Sequence, residues 1–419
     1  MALAEDGRLR PRVLRLCSVF EPPPSALSGR GVRFDPIGGM QNHTAHLTRA
    51  LAALGVEQEV ITHRPPGAAR IEELCAGAIV RRFGLPIPWC RQLYSAPAGV
   101  AALRLARRFD LIHAHQGEDL AVLPIALSAA RRASLPLVVT LHTSLRHTFS
   151  GGGHRGPLLS AVGGRIEAAV CARAAEIVAL SGRLAAAFRE EGVPAERISV
   201  VPPGINSSEF AAVGEDPFPE LPHPRVVFVG RLVHQKGVDT LLAAAATMRR
   251  QDARVLLVGD GPLRPQIEGS IRERGLEGRV RILGFRRHAE IPAILSNSDL
   301  FCLPSRFEEV SSALLEAMRA GLPIVATSVG GIPEVLDSAG RLVTAEDPSS
   351  LAQAIDELLS DTGLAARLAA QARERAGRYE WDEIARNVLD VYRAALEPRA
   401  APRQTRKEPV STSEPSRFA

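Results

Sequence analysis

Short apolar runs alternate with longer stretches of helical periodicity along most of this 419-residue chain. Apolar runs separated by amphipathic segments are typical of βαβ units, in which parallel strands are buried on both faces. A helix is predicted over 40–54, because the segment ends at Gly55, where the left-handed C-cap conformation favours glycine. In the first half, strands are predicted at 13–19, 56–62, 78–83, 110–115, 137–142, 177–180 and 198–201.

The alternation lapses at 202–224, where the sequence PPGINSSEFAAVGEDPFPELPHP is rich in proline and glycine. Such a composition interrupts regular structure, so we predict a linker there. The alternation then resumes, with strands predicted at 226–229, 255–258, 280–283, 300–303, 324–327 and 341–343. Two consecutive α/β domains, each a Rossmann-like doubly wound parallel sheet, fit this pattern better than one continuous sheet.

The predicted domains cover 1–205 and 206–380. An amphipathic helix over 381–397 is expected to pack back on the first domain, and the polar, proline-rich tail 398–419 is expected to be disordered. Ligands of doubly wound sheets bind beyond the carboxyl ends of the strands, and a cleft between domains is a frequent site. The functional residues are therefore expected in loops that follow strands.

Composition excludes several classes of protein. Hydrophobic residues make up 46% and charged residues 23%, as in globular proteins. The net charge is +5, but the arginines are scattered and aromatic residues make up only 4%, so nucleic-acid binding is disfavoured. The first residues contain no apolar signal segment and no run is long enough to span a membrane, so a cytoplasmic location is expected.

A group of arginines and the cysteines do not point to a special function. Arg104, Arg107 and Arg108 allow weak contact with an acidic membrane surface, but an ordinary solvated helix face is favoured. The cysteines have no metal-ligand spacing, so we expect free buried thiols. They are Cys17, Cys75, Cys90, Cys171 and Cys302.

The strongest chemical motif is VVFVGRLVHQKG at 226–237. Gly230 allows a sharp turn and a close approach to a ligand at the end of a strand. Arg231 and Lys236 follow, and Lys236 is the only lysine outside the predicted tail. Two cations beside a helix N-terminus suit a diphosphate. The alternative, two solvated surface cations, is less favoured at this position.

A second motif lies in LFCLPSRFEEVSSALLEAM at 300–318. Glu308 follows a predicted strand, and Glu316 lies on the next helix with seven residues between the two. Ser311 and Ser312 stand where that helix begins, and can cap it or offer N–H groups to an anion. Glu316 interrupts an apolar helix, and a buried carboxylate needs polar partners such as sugar hydroxyls. Solvated or capping glutamates are the alternative interpretation.

In their order along the chain, these stretches resemble the family 4 glycosyltransferases, which are retaining enzymes of the GT-B fold. The resemblance covers roughly 13–396. It also includes the glycines that open the first helix and four shorter motifs. These are Gly38 and Gly39, DLIHAH at 110–115, VTLHTS at 139–144, PPGIN at 202–206 and VGDGP at 258–262.

The resemblance implies a role for each candidate residue. His142, Arg231, Lys236 and Glu308 are the candidate catalytic residues: the two cations hold the donor diphosphate, Glu308 contacts the transferred sugar, and His142 approaches the reacting sugar. Glu316 is implied to bind the nucleotide ribose. The implied donor-binding set is Gly38, Gly39, Gly230, Arg231, Lys236, Glu308, Ser311, Ser312 and Glu316.

One departure from the family pattern affects the donor sugar. Many members carry Gly-Phe-Gly after the first glutamate, whereas this chain has Glu309, Val310 and Ser311. We therefore expect an extra carboxylate near the donor sugar. The chain contains no D-x-D sequence, so no metal or other cofactor is expected, and cations and helix N-termini would stabilise the leaving diphosphate.

The segments 33–41, 49–62 and 307–318 resemble actinobacterial enzymes that glycosylate cyclitols. The nearest resemblance is to the 2-deoxystreptamine N-acetylglucosaminyltransferases of aminoglycoside biosynthesis. The inositol-phosphate N-acetylglucosaminyltransferases are second, because the first half shows no clear cation cluster for an acceptor phosphate. The expected partners are thus UDP-GlcNAc, ahead of UDP-glucose and GDP-mannose, and a small-molecule acceptor.

Four other classes of protein are alternatives to a glycosyltransferase. A nucleotide-sugar epimerase of the same fold would act without an acceptor. A phosphorylase would need pyridoxal phosphate on Lys236, and a dehydrogenase would need a G-x-G-x-x-G sequence after a strand, which is missing. A binding protein would hold a nucleotide without turnover. The transferase is favoured over all four.

Overall fold

The computed structural model describes residues 2–3, 9–23, 39–85, 93–117, 119–142, 144–146, 156–211 and 214–397. Gly38, Cys90 and the tail 398–419 lie outside these residues, and so do the predictions made for them. The cysteines within the described residues are free thiols at Cys17, Cys75, Cys171 and Cys302.

The first domain contains an eight-stranded sheet. Its strands are β3 (Arg12–Cys17), β4 (Glu57–His63), β5 (Ile71–Cys75), β6 (Ala78–Phe83), β7 (Leu111–Gln116), β8 (Leu137–Leu141), β9 (Glu176–Ala179) and β10 (Ile198–Val200). Their order in the sheet is β10-β9-β8-β7-β3-β4-β6-β5, and all neighbouring pairs are parallel except β5 and β6. A separate antiparallel pair is formed by β1 (Ala2–Leu3) and β2 (Leu9–Arg10).

The helices of the first domain cover both faces of this sheet. The first one buries Leu47 and Leu51, and the chain turns after it at Gly55, whose φ of +82° suits glycine. This helix begins at Gly39, one residue before the predicted start. The helices are α1 (Gly39–Ala53), α2 (Ser95–Leu105), α3 (Val122–Ala133), α4 (Gly156–Cys171) and α5 (Gly182–Glu190).

The second domain contains a six-stranded, fully parallel sheet of order β13-β12-β11-β14-β15-β16. Its strands are β11 (Arg225–Val229), β12 (Arg254–Val258), β13 (Val280–Gly284), β14 (Leu300–Leu303), β15 (Ile324–Thr327) and β16 (Arg341–Val343). The helices are α6 (Val238–Thr247), α7 (Arg264–Glu273), α8 (Ile291–Ser296), α9 (Ser312–Ala320), α10 (Ile332–Leu336), α11 (Pro348–Ser360) and α12 (Thr362–Ala376). The last helix, α13 (Trp381–Leu396), follows them and returns to the first domain.

Every predicted strand is present, with each end within two residues of its predicted position. The predicted two-domain α/β architecture is confirmed. Three short strands were missed. The antiparallel edge strand β5 has mostly exposed or half-buried residues, so it lacks the apolar run that marks the central strands. The pair β1 and β2 is only two residues long in each strand.

The chain crosses twice between the domains, and the two crossings lie side by side. The amide of Ile205 donates to the Tyr379 carbonyl at 2.6 Å, and the amide of Trp381 donates to the Ile205 carbonyl at 3.1 Å. After the second crossing, α13 packs Ile384 and Val388 into a cluster that also contains Leu111 of the first sheet. None of the described helices combines the length and apolar character needed to cross a membrane.

Candidate active site

The loop after β11 carries Lys236 to the carboxyl end of the second sheet. Lys236 ends a short 3-10 turn, and Gly237 follows with φ +62° as the N-cap of α6. A Cβ atom at Gly237 would overlap the carbonyl oxygen of Pro304, so glycine is required by both conformation and space. The same loop holds Arg231, which is partly exposed. The loops after β11 and β14 are therefore in tight contact.

Lys236 and Glu308 form an ion pair between these two loops. Their side chains are only 13% and 12% exposed. The hydroxyl of Ser305 also donates to Glu308, at 3.4 Å between oxygens. A Cβ atom at Gly330, where φ is +56°, would overlap the Glu308 carbonyl oxygen. The backbone after β15 thus lies in close contact with Glu308. Lys236 and Glu308, both predicted to bind the donor, neutralise each other's charge.

The N-termini of α1 and α9 lie against each other across the domain boundary. Ser311 is the N-cap of α9, but its side chain makes no capping hydrogen bond. A Cβ atom added to Gly39 would lie 3.3 Å from the Ser312 hydroxyl oxygen. Helix N-termini attract anions because their first N–H groups are unpaired and the helix dipole is positive there. Gly39, Ser311 and Ser312 are therefore brought together, as a phosphate site requires.

Glu316 lies on α9 and is buried, and its partner is a histidine that the sequence did not single out. His288 Nε2 lies 3.1 Å from Glu316 Oε1, and His288 Nδ1 lies 3.6 Å from Glu209 Oε2. Burial lowers the pKa of His288, but the hydrogen bond to Glu316 and the two carboxylate charges outweigh it and raise this pKa to about 9. His288 is thus an imidazolium at neutral pH. Its only sequence signal was a position shortly after a strand.

Glu309 does not lie free beside the donor site, which corrects the expectation of an extra carboxylate there. Its side chain is buried at the domain boundary. It accepts a hydrogen bond from the Ser181 hydroxyl at 2.8 Å and pairs with Arg183. Nearby, Glu334 accepts hydrogen bonds from the Gly182 and Arg183 amides, both at 2.7 Å. Two carboxylates of the second domain therefore hold the N-terminus of α5 in the first.

His142 follows β8 at the carboxyl end of the first sheet, as predicted from the sequence. Its Nε2 lies 3.1 Å from His115 Nδ1, and its ring centroid lies 4.6 Å from that of His43. Burial, with a smaller contribution from the Arg15 charge, lowers the pKa of His142 to about 3. Burial also lowers the pKa values of His43 and His115 well below the usual value. All three rings are therefore neutral at neutral pH.

The segment after His142 is held by a buried carboxylate that the sequence did not reveal. Glu167 of α4 accepts from the Ser144 hydroxyl at 2.6 Å and from the Leu145 amide at 2.8 Å. Burial raises the pKa of Glu167 to about 7. Both oxygens of this carboxylate are engaged, so Glu167 holds Ser144 and Leu145 in place.

Helix α1 connects the two sides of the site. His43, on the first turns of α1, contacts His142 of the first domain. His46, three residues later, has its ring centroid 5.5 Å from that of His288 in the second domain. The ring of His46 also stacks on Trp381, with centroids 5.7 Å apart. The carboxyl ends of the two sheets therefore face one another around α1.

Two clusters of described residues that contain histidines bring possible metal ligands together. In the first cluster, the ligand atoms of His43, His115 and His142 lie within 4.8 Å of one another. His115 Nε2 lies 2.6 Å from the Arg15 guanidinium, however, and its Nδ1 faces His142. Since arginine only donates, His115 carries its proton on Nδ1 and has no lone pair there for a metal. This cluster does not fit a metal ion.

The second cluster, His46, Glu209 and His288, lies at the domain boundary. Metal ligands must be deprotonated, but the carboxylates around His288 raise its pKa to about 9. A metal ion would therefore have to displace a proton that Glu316 and Glu209 stabilise. The geometry of this cluster favours an ion pair.

Two parallel-sheet α/β domains with facing carboxyl ends define the GT-B class of glycosyltransferases, and solved structures of that class superpose on the chain. A sucrose-phosphate synthase from Thermosynechococcus elongatus does so with a TM-score of 0.78 and 24% identity, over 91% of this chain and 98% of that one. Anabaena HepE in complex with UDP-glucose gives a TM-score of 0.72 at 22% identity, over 92% and 100%. These likenesses show the fold.

The chain belongs to glycosyltransferase family 4. Residues 37–209 match Glycosyltransferase Family 4, and residues 216–375 match Glycosyl transferases group 1. The chain is 32% identical to a 2-deoxystreptamine glucosyltransferase of Streptomyces kanamyceticus, over 82% of this chain and 93% of that protein. It is 29% identical to a 2-deoxystreptamine N-acetyl-D-glucosaminyltransferase of Streptomyces fradiae, over 92% and 97%.

A third relative has a different acceptor in its name. The chain is 30% identical to a D-inositol 3-phosphate glycosyltransferase of Xylanimonas cellulosilytica, over 87% of this chain and 93% of that protein. The expected membership of family 4 and the resemblance to 2-deoxystreptamine glycosyltransferases are thus confirmed. The protein is a glycosyltransferase.

Proposed function

We propose that this glycosyltransferase transfers a hexosyl group from a UDP-sugar, in the first instance UDP-GlcNAc, to the aminocyclitol 2-deoxystreptamine. The observation that carries the donor part is the Lys236–Glu308 ion pair at the neighbouring carboxyl ends of β11 and β14. The relatives from Streptomyces kanamyceticus and Streptomyces fradiae support the acceptor part, since both are named for 2-deoxystreptamine.

The donor diphosphate takes the place of Glu308 beside Lys236. A diphosphate carries more negative charge than one carboxylate, and the ammonium group of lysine binds it as a compact positive charge. Arg231 in the same loop and the N-terminus of α9 add positive potential. Glu308, once released, is free to accept a hydrogen bond from a hydroxyl of the transferred sugar. One exchange of partners thus serves both halves of the donor.

The ribose is bound at Glu316. This carboxylate is buried and is held by His288, which fixes its orientation before the nucleotide arrives. The oxygen of Glu316 that is not bonded to His288 remains to accept from a ribose hydroxyl. A prearranged acceptor of this kind lowers the ordering cost of binding.

Transfer proceeds with retention of configuration at the anomeric carbon. The bond from that carbon to the diphosphate oxygen breaks, and a bond to the acceptor oxygen forms on the same face of the sugar. The acceptor proton passes to the departing phosphate oxygen, and UDP leaves. Lys236 and Arg231 stabilise the charge that builds on the diphosphate. His142 lies at the facing end of the first sheet, where it contacts the reacting sugar.

A phosphorylated cyclitol is the second candidate acceptor, because a cavity in the first domain is lined by two arginines. The cavity has a volume of about 410 Å³ and is lined by Arg146, Arg165 and small residues of α4. Arg146 is paired with Glu191 at 2.7 Å, so Arg165 is the cation with fewer described partners. An acceptor phosphate would fit the charge of this cavity.

The test is release of nucleotide by the purified full chain. UDP-GlcNAc, UDP-glucose and GDP-mannose are each offered with 2-deoxystreptamine, with inositol 1-phosphate or without acceptor. The proposal expects UDP release that depends on 2-deoxystreptamine, and an α-linked product by NMR. Release that depends only on inositol 1-phosphate, and that falls in Arg165→Met, assigns the second candidate. Isomerisation of a donor without acceptor would mean an epimerase and would overturn the proposal.

A further inference from the structure

Arg15 is a buried cation in the middle of the first sheet. It lies on β3, and only 1% of its surface is exposed. Its Nη1 donates to the Thr48 hydroxyl, to Gln58 Oε1 at 3.2 Å and to the Thr44 carbonyl oxygen at 3.4 Å. No carboxylate within the described residues pairs with this guanidinium, and burial lowers its pKa. A buried charge is expensive without a counter-ion, so stability alone would favour an apolar side chain here.

The remaining arm of this guanidinium sets the tautomer of two histidines. Arg15 Nη2 lies 2.6 Å from His115 Nε2. Because arginine has no acceptor, His115 Nε2 must be the acceptor, and the single proton of this neutral ring must lie on Nδ1. That Nδ1–H points at His142 Nε2, 3.1 Å away, so His142 accepts there and carries its own proton on Nδ1. The chain of donors runs in one direction, from Arg15 to His142.

The groups around His115 and His142 do not provide other hydrogen-bond partners that would favour a different tautomer. His113, beside His115, is already bonded on both nitrogens, to the Tyr392 hydroxyl and to the Thr140 hydroxyl, each at 2.7 Å. His43 lies edge-on to His142 and belongs to α1. Among the described residues, none accepts a hydrogen bond from Nδ1 of His142. This N–H is therefore the donor that the network leaves for a ligand.

We propose that Arg15 and His115 are positioning residues that hold His142 as an Nδ1–H donor toward an oxygen of the donor substrate. The proposal rests on the proposed function, since it uses His142 as the residue that contacts the reacting sugar. A neutral histidine side chain in water prefers the proton on Nε2, so this tautomer needs a protein partner to impose it. The buried arginine supplies that constraint without becoming a reactant itself.

The tautomer is tested first, because it is measured without any substrate. Histidine is labelled with ¹⁵N, and two-bond ¹H–¹⁵N spectra are recorded on the full chain, with His115→Gln and His142→Gln used for assignment. Both rings are expected to carry the proton on Nδ1 in the wild type. In Arg15→Met, the His115 ring is expected to lose this preference. A proton on Nε2 of His142 in the wild type would overturn the proposal.

The kinetic test separates positioning from a general loss of structure. Arg15→Met is expected to lower kcat on the order of tenfold to a hundredfold with the donor KM nearly unchanged. Arg15→Lys keeps a donor and is expected to restore most of the loss. Arg12→Met is the matched control, because Arg12 lies on the same strand and pairs with the partly exposed Asp110. Equal kcat in Arg15→Met and Arg12→Met would contradict the proposal, whereas a failed acceptor assay with the tautomers as expected would count against the proposed substrates alone.

Discussion

The two sides of the active site are built on opposite electrostatic principles. On the second-domain side, charged groups are paired before any ligand arrives: Lys236 with Glu308, and His288 with Glu316. On the first-domain side, the histidines around His142 are neutral, and the buried Arg15 has no carboxylate partner in the described part of the chain. On the second-domain side, a ligand must displace one member of an existing ion pair. On the first-domain side, it meets a hydrogen-bond donor that is already oriented.

This difference assigns different work to the two domains. Under the proposed function, a diphosphate must break an ion pair to bind, which favours ligands with more charge than a carboxylate, so we expect the second domain to select the donor. A fixed hydrogen-bond donor acts mainly on groups that move or gain charge during the reaction, so we expect the first domain to affect turnover.

The largest expected effect on activity is that of Lys236→Met. Losing a charge-assisted contact to the diphosphate costs roughly 1.5–3 kcal/mol, or about ten- to a hundredfold in kcat/KM. Arg281→Met is the control, because Arg281 is an exposed cation of the same sheet, 3.9 Å from Glu220. Steady-state kinetics with varied donor measure both. A Lys236→Met enzyme with the kcat/KM of the control would remove the diphosphate role.

Gly330→Ala is expected to shift the backbone at Glu308 and so disturb the Lys236–Glu308 ion pair. Its Cβ atom would overlap the Glu308 carbonyl oxygen at a φ of +56°. Gly275→Ala is the matched control, since Gly275 has φ +64° and no atom within 4 Å of such a Cβ. The left-handed conformation costs about 1–2 kcal/mol in both, and the overlap adds about 2 kcal/mol or more in Gly330→Ala alone. The free energy of unfolding in denaturant and the donor KM are measured for both variants. Equal losses of stability would show that the backbone around Gly330 moves to remove the overlap at no cost.

Glu334→Gln tests the contact that joins the two sides. Glu334 accepts from two amides at the N-terminus of α5, so a weaker acceptor is expected to cost about 1 kcal/mol. The domains should then open more often, with a larger radius of gyration in solution scattering and a higher donor KM. Glu357→Gln is the control, because Glu357 pairs with Arg341 inside the second domain. Identical scattering from the two variants would mean that Glu334 does not hold the domains together.

His288 is expected to make the stability of the protein depend on pH. Its folded-state pKa is raised from 6.5 to about 9, so its stabilising contribution is full below about pH 6.5 and is lost as the pH rises through about 9. His288→Gln should therefore be less stable than the wild type by about 1–2 kcal/mol near pH 6 and equal to it near pH 10. Glu167 titrates in both proteins, so its contribution cancels. A difference that does not change with pH would exclude the imidazolium.

The sequence predicted what depends on local pattern. Buried parallel strands are apolar runs, and Lys236 and Glu308 each follow such a run, so their meeting follows from the parallel order of β11 and β14. The partners of Glu309 and Glu316 were not predictable, because Ser181 and His288 lie 128 and 28 residues away, and no local pattern encodes such contacts. The contact between Arg15 and His115 was not predictable either, since the sequence around an arginine in an apolar strand does not indicate which residue it contacts.

Isothermal titration of UDP into three proteins tests most directly the claim that the two sides divide binding and turnover. The wild type, Lys236→Met and His142→Gln are compared at one pH and salt concentration, and the kcat of each is measured with the same preparation. We predict that His142→Gln binds UDP as the wild type does but turns over more slowly, whereas Lys236→Met binds UDP about tenfold or more weakly. Equal weakening of UDP binding in both variants would contradict the division.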